Sequence, residues 1–540
     1  MSRTKKYNLI FWILCLSSFF LYSYLTLSVW MPGWAEYGHL VFNWPDANAN
    51  HFFTMLFAKT NTFADLEHLN YFTDNLIHTR SINVIDGSLV PMTFLPTLVI
   101  FGLFAKVLGN VGILFFTPLL AALSGYLVYS IAKNVFKSSV LAMLMGILFL
   151  TLAPVMYFAN IVMLPTILFI FLLLAGWSAI SYDFKEDRKQ NFLWGVGILS
   201  LSLAVLSRPT EIIWVALLTL FIFYINKNKI SLWKFIWAIL IFVILLIIFL
   251  SLNKSIYGGY FSFGYLNLQS GGLSSEISGT SINPIKLLFA PFGFDFNLLV
   301  SNIWKYLIKI ILPHFILAIA GYVILLIKLK KKELSRVWKK YLLVTPFIFL
   351  FILLYYGSWQ LADPLVRELN SISISYVRYF LPLYIWLIPA TALAMIKLLY
   401  RKPKLNLLAY YVVVLAMIIF SFKVAFLAKN DGLIATKQTL DGYYEQYQKV
   451  AELAPPMSVM ITERSDKIFF PKYKVIVPQG DLELWSRVAE LTLDNQIYYY
   501  TDKSDTQIAS ENSIANESNL EITDKKNIEG NFNLYRIIKK

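Results

Sequence analysis

The residues best placed for chemistry open the stretch 43–109, which begins Asn43-Trp44-Pro45-Asp46. Asp46 follows a Trp-Pro pair that restricts the local backbone, and Asn48, Asn50 and His51 stand close behind it. A carboxylate so placed can accept a proton from an attacking hydroxyl, with the amides and imidazole as candidate substrate-binding groups. It can equally cap the helix predicted from Ala47 to Lys59. A base of this kind needs a stabilised leaving group, and for a phosphate arginine offers a planar fork of donors. Arg208, in Ser207-Arg208-Pro209-Thr210, lies between two apolar runs, where charge is costly and usually functional. Arg378-Tyr379 opens a later apolar run, and Arg80 follows the segment 64–77. Arg208 and Arg378 also read as interfacial anchors that snorkel to the headgroups, and Arg80 as a structural residue. His39, His51, His68, His78 and His314 show no paired ligand spacing, and Cys15 is the single cysteine. No metal site is assigned, and no phosphate-loop or dinucleotide fingerprint occurs in a strand–helix context.

The elements that must hold these groups are membrane helices. The chain is 58% hydrophobic and 16% aromatic, with 15% charged residues, against about 25% in a soluble domain. Many uncharged runs approach the roughly 20 residues needed to cross a bilayer. The net charge of +15 does not point to nucleic acid, because Lys and Arg sit in short loops between apolar runs. That distribution marks the cytoplasmic side. The run 9–30 is too long for a signal-peptide core, lacks a small-residue cleavage site and is read as a retained helix.

Arg3, Lys5 and Lys6 place the N-terminus in the cytoplasm. The basic loops at Lys133–Lys137, Lys185–Lys189, Lys227–Lys234, Lys328–Lys340 and Arg401–Lys404 belong on the same side. For that, the apolar segment 90–108, with Pro91, Pro96 and Lys106, must lie at or dip into the outer face without crossing. The expected spans are then helix 1 and residues 111–132, 139–159, 162–181, 192–207, 211–226, 232–252, 306–327, 341–357, 379–397 and 406–428, about eleven crossings. The first outer loop, 31–110, is expected to hold two amphipathic helices, 64–77 and, more weakly patterned, 48–59. Residues 253–302 and 357–378 form further outer loops. From 429 apolar runs shorten and charge rises. Strands are predicted at 457–462, 474–477, 496–501 and 533–538, helices at 441–453 and 481–491, and a loop at 501–526. This is a small extracytoplasmic α/β domain, 429–540, following a transmembrane domain, 1–428.

The order of these features resembles a family. Pro45-Asp46 opens a helix reaching Ala58-Lys59; His78-Thr79-Arg80-Ser81 follows; Val90-Pro91 heads an apolar stretch closing on Leu108-Gly109; and Arg378-Tyr379-Phe380-Leu381-Pro382 enters a late helix. The membrane part is similar to the GT-C superfamily of glycosyltransferases, near the protein mannosyltransferase and aminoarabinose transferase type (glycosyltransferase family 39). The resemblance implies a polyprenyl- or dolichyl-phosphate-linked sugar donor and a protein, lipid or glycan acceptor. It implies action on the outer face of the cell membrane, with Asp46 as the catalytic residue. Arg208, Arg378, Tyr379 and Arg80 are then the candidates for holding the donor phosphate. Ala47 stands where many members carry a glutamate, and Asn160-Ile161-Val162-Met163 offers no counterpart of a second outer aspartate. A second-carboxylate role and a divalent-metal requirement therefore have little support. The alternatives are a polyprenyl-lipid or glycan transporter or flippase, or an inactive relative with an outer binding domain. A transporter is expected to place ionisable groups inside its spans. Here the spans are nearly free of charge and the polar groups collect on one face.

Overall fold

The computed structural model describes residues 3–37, 40–181, 187–225, 232–264, 294–359, 371–399, 405–478, 483–492 and 495–540. His39, Lys185, Lys227, Lys229, Arg401, Lys402 and Lys404 lie outside the described residues, as do parts of the segments 253–302, 357–378 and 481–491. Among the described residues eight helices are long and apolar enough to cross a bilayer, or nine when one bent pair counts as a single span. Two shorter apolar helices, Pro165–Ser181 and Pro209–Phe221, bring to eleven the segments that overlap expected spans, and one of the eleven, Leu95–Phe136, also takes in most of the segment 90–108. This is an integral membrane protein.

The chain divides into two compact units. The first comprises Met1–Thr26, Leu114–Ile247 and Ser281–Ala435 and is helical. It holds the start of α1 (Arg3–Tyr37), then α4 (Phe116–Phe136), α5 (Ser139–Leu150), α6 (Ala153–Asn160), α7 (Pro165–Ser181), α8 (Asp187–Ser207) and α9 (Ile212–Ile225). After most of α10 (Leu232–Tyr257) come the helices Arg336–Tyr356, Leu381–Leu399 and Leu405–Phe426. In lipid, helices associate by close packing, and small residues permit it. A Cβ on Gly176 of α7 would lie 2.9 Å from the Gly197 carbonyl oxygen of α8. One on Gly321 would lie 2.1 Å from the Ala390 carbonyl oxygen, so those two backbones touch. The axis bends by 53° between α5 and α6. The cause is Thr151-Leu152-Ala153-Pro154, where the proline starts a new helix and Leu152 is extended (ψ 128°).

The second unit comprises Leu27–Ile113, Ile248–Thr280 and Thr436–Lys540. It holds α2 (Pro45–Thr60), α3 (Leu95–Gly112) and two sheets. The strands β1 (Asp65–Leu66), β2 (Ile82–Ile85) and β3 (Ser88–Pro91) form a small antiparallel sheet in the order β1-β3-β2. The larger sheet has the order β5-β4-β6-β8-β7, from β4 (Val459–Ile461), β5 (Lys474–Ile476), β6 (Ile497–Thr501), β7 (Leu520–Glu529) and β8 (Phe532–Lys539). Its β5-β4-β6 part is parallel and the rest antiparallel. One core joins first-loop and C-terminal residues: Phe53 and Leu98 pack with Val450, Phe469, Val475 and Tyr500. The first loop and the C-terminal segment therefore fold as one body.

Two expectations change, and one element is new. Residues 64–77 are not an amphipathic helix but β1, a short turn His68–Tyr71 and a loop. Asp74 and Asn75 adopt left-handed φ of 48° and 65°, which stops a helix. The Asn70 side chain holds the Ile77 backbone N–H and C=O at 2.7 and 3.1 Å. The expected loop 501–526 contains a helix, Asp505–Glu517, and most of β7. The helix starts on a capping box between Ser504 and Gln507 and buries Ile508 and Ala515. Finally, residues 82–91 are a hairpin turning at Asp86 and Gly87, both at positive φ.

Candidate functional site

Asp46 lies in the first turn of α2, behind Pro45 at the helix start. Trp44, extended at φ −101° and ψ 128°, occupies the N-cap position, so the aspartate is not the cap. Its carboxylate sits where the helix dipole favours negative charge. The Ser81 hydroxyl donates to Asp46 Oδ1 at 2.7 Å. Ser81 enters from the start of the β2–β3 hairpin. The carboxylate is partly exposed, reachable and oriented.

The residues behind it brace the loop. Asn48 accepts from the Phe42 N–H at 3.0 Å and donates to the Phe42 carbonyl at 2.7 Å, latching the approach to α2. Asn50 is buried at 1% exposure. His51 meets Asn110 Oδ1 through Nε2 at 2.7 Å, and its ring lies 5.3 Å from that of Phe42. Burial pulls the imidazole down to about 4, against the Asn110 hydrogen bond.

Arg80 is engaged by Asp466, which is fully buried. Its Nη2 and Nε lie 2.6 and 3.0 Å from Asp466 Oδ1, and its backbone N–H donates to Oδ2 at 3.1 Å. Nη2 also reaches the Arg464 carbonyl at 2.8 Å. Burial lowers the neighbouring His78, whose Nδ1 is 2.9 Å from the Thr79 carbonyl. Lys467 donates to the Asn43 carbonyl at 2.8 Å. Sequence reasoning missed Asp466 and Lys467, because nothing local in Ser465-Asp466-Lys467 announces contact with residues 386 and 424 positions earlier.

In the helical unit Arg208 is not a lipid-facing anchor: it is only 7% exposed. Its Nη2 pairs with the fully buried Glu211 at 2.8 Å, and Nη1 has no hydrogen-bond partner among the described residues. Its guanidinium carbon lies 5.0 Å from the Phe169 ring and 5.1 Å from the Tyr379 ring. The Arg378 guanidinium lies 5.3 Å from that same Tyr379 ring, so the two arginines gather at one tyrosine. Tyr379 stacks on Tyr356 at 4.4 Å, and the Tyr356 hydroxyl donates to Glu211 at 3.1 Å. The Trp214 indole N–H donates to the other Glu211 oxygen. Glu211 was readable in the sequence as an i, i+3 partner of Arg208. The donors that Arg208 has left over after Glu211 suit an anion. Among the described residues no group of three or more His, Cys, Asp or Glu side chains gathers as a metal site would require.

No family model and no curated protein matches the chain. Among solved structures it is similar to ArnT from Cupriavidus metallidurans in the apo state, at 10% identity and a TM-score of 0.53, covering 99% of this chain and 98% of that one. It is also similar to the Archaeoglobus fulgidus oligosaccharyltransferase in the apo form, at 11% identity and a TM-score of 0.52, covering 90% of this chain and 69% of that one.

Proposed function

We propose that this chain moves a sugar from a polyprenyl- or dolichyl-phosphate-linked donor to a protein, lipid or glycan acceptor on the outer face of the membrane. The observation that carries the reading is the buried Arg208, a guanidinium with donors left over and a second arginine at the same tyrosine. A sugar phosphodiester bears one negative charge and the departing lipid phosphate monoester about −1.5 to −2, so arginine donors hold the product side of the reaction more strongly. Stabilising charge that develops during reaction is what accelerates it. Arg208 and Arg378 grip the phosphate oxygens, and Tyr379 fixes the arginines' planes. Asp46 takes the proton from the acceptor hydroxyl as its oxygen bonds to the anomeric carbon. The bond from that carbon to the phosphate oxygen breaks, and lipid phosphate leaves with the electron pair, inverting the anomeric centre. Ser81 holds one carboxylate oxygen. Arg80, Asn48, Asn50 and His51 serve by bracing the loop.

The test is purified protein with a panel of polyprenyl-monophosphate sugars (mannose, glucose and aminoarabinose) in detergent with membrane-lipid and peptide acceptors. At least one donor is expected to release lipid phosphate in an Asp46-dependent manner. Equal release by wild type and Asp46→Asn across the panel would count against the reading.

A further inference from the structure

The mechanism above uses nothing from the C-terminal segment, yet the short stretch Arg464 to Phe470 touches the chain on every side of Asp46. Ahead of the aspartate, Lys467 donates to the Asn43 carbonyl at 2.8 Å and lies 3.3 Å from its side-chain oxygen. The same ammonium sits over the Tyr443 ring, 4.8 Å from its centroid. Behind the aspartate, the Phe470 ring packs edge-on to Phe52 of α2 at 4.8 Å, and Phe469 joins Ala49 and Phe53 in the core. Beside it, Asp466 binds Arg80 through both side chain and backbone N–H, and Arg80 directly precedes Ser81, the hydrogen-bond donor to Asp46.

We propose that Asp466 and Lys467 are positioning residues for the catalytic carboxylate: Lys467 fixes the loop that delivers Asp46, and Asp466 fixes the strand that delivers Ser81. The inference rests on the reading of Asp46 as the base. Its physical content is that a short bend delivers the carboxylate: Asn48 latches Phe42 on one side of that bend, and Lys467 ties Asn43 within it. Asn43 and Trp44 are a bend without regular structure, and α2 begins only at Pro45. A main-chain carbonyl tied to a cation gives that bend one position. Arginine in its place can donate to the same carbonyl. Displacement of a catalytic group by about an angstrom can cost roughly a hundredfold in rate.

Lys467→Met, in the full-length protein, is therefore expected to lower kcat about ten- to a hundredfold with little change in donor KM and in thermal midpoint. Lys467→Arg is expected to recover most of the loss. Amide exchange over residues 43–50 is expected to quicken in Lys467→Met and to return toward wild type in Lys467→Arg. Asp466→Asn is expected to act in the same direction; because it weakens a buried ion pair and can unfold the unit, the lysine variants decide. In an Asp46→Asn background Lys467→Met is expected to have no further effect on the residual rate, since it acts through a carboxylate that is gone. If Asp46→Asn abolishes transfer while Lys467→Met is fully active, or slows the residual rate by the same factor in both backgrounds, the positioning inference is overturned and the base assignment stands. If Asp46→Asn transfers at the wild-type rate, the base assignment itself fails.

Discussion

Arg208→Lys separates a phosphate ligand from a structural cation. The side chain is 7% exposed, pairs with Glu211 at 2.8 Å and lies about equidistant from two aromatic rings, 5.0 and 5.1 Å away. Lysine keeps the charge and can keep the pair with Glu211. It loses the planar fork, and with it one charge-assisted hydrogen bond to phosphate, worth about 1.5–3 kcal/mol. At about 1.4 kcal/mol per decade that is roughly a ten- to hundredfold rise in donor KM. The stacked cation contributes up to about 2 kcal/mol in a desolvated setting, part of which an ammonium retains. Stability should thus fall by about 1 kcal/mol. Arg208→Met differs in kind: it strands Glu211, which is fully buried, and should cost about 3–5 kcal/mol. Glu211→Gln combined with Arg208→Met should recover much of that stability without recovering donor binding. The assay pairs donor KM, from release of radiolabelled sugar, with thermal unfolding in the same detergent. An Arg208→Lys protein with wild-type KM, or an Arg208→Met protein with wild-type stability, would refute the reasoning.

Two further predictions concern the second unit and the topology. His51 is held neutral, its pKa lowered to about 4 by burial, so the stability it contributes is complete above about 6.5 and is lost as pH falls from there toward 4. The loss should run at no more than about 1.4 kcal/mol per pH unit, and His51→Gln should flatten the pH–stability curve between pH 6.5 and 4; an unchanged slope would show that the imidazole already titrates normally. In a Cys15→Ser background, single cysteines at Asp65 and Asn516 should react with an impermeant maleimide added outside intact cells, and one at Lys331 should not. Labelling at Lys331 from outside would invert the sidedness read from the basic loops.

The helices that cross were legible because a bilayer imposes a length and a hydropathy on each span, and the 3.6-residue pattern is not needed to see them. The helix after Pro45 was legible for a local reason, a proline at its first turn. Residues 64–77 misled because Leu66, Leu69, Phe72 and Leu76 fit a helical stripe, while the features that decide the backbone, left-handed Asp74 and Asn75 and the Asn70 clasp, lie between them. The β2–β3 hairpin carried its own signal, Asp86-Gly87 between apolar pairs, which the apolar run beyond it obscured. The polar helix from Asp505 hid because its stability comes from a cap and two buried residues rather than from an apolar face. Within the candidate site, Asp46, Arg208 and Arg378 stood out because charge beside a membrane segment is rare and costly. Ser81, which binds Asp46, and Asp466 and Lys467, which hold Arg80 and Asn43, did not, since each acts across a long stretch of chain and is ordinary in its own neighbourhood.

The most direct measurement is sugar transfer by Asp46→Asn beside wild type, with folding checked in the same samples. Asparagine keeps an oxygen that Ser81 can donate to, and the charge–dipole attraction it gives up is about 0.3–1 kcal/mol, so the variant should express and melt nearly as wild type and bind donor normally. Transfer should fall by about two to four orders of magnitude, the range for loss of a general base. Transfer at the wild-type rate by the folded variant would contradict the account at its central residue.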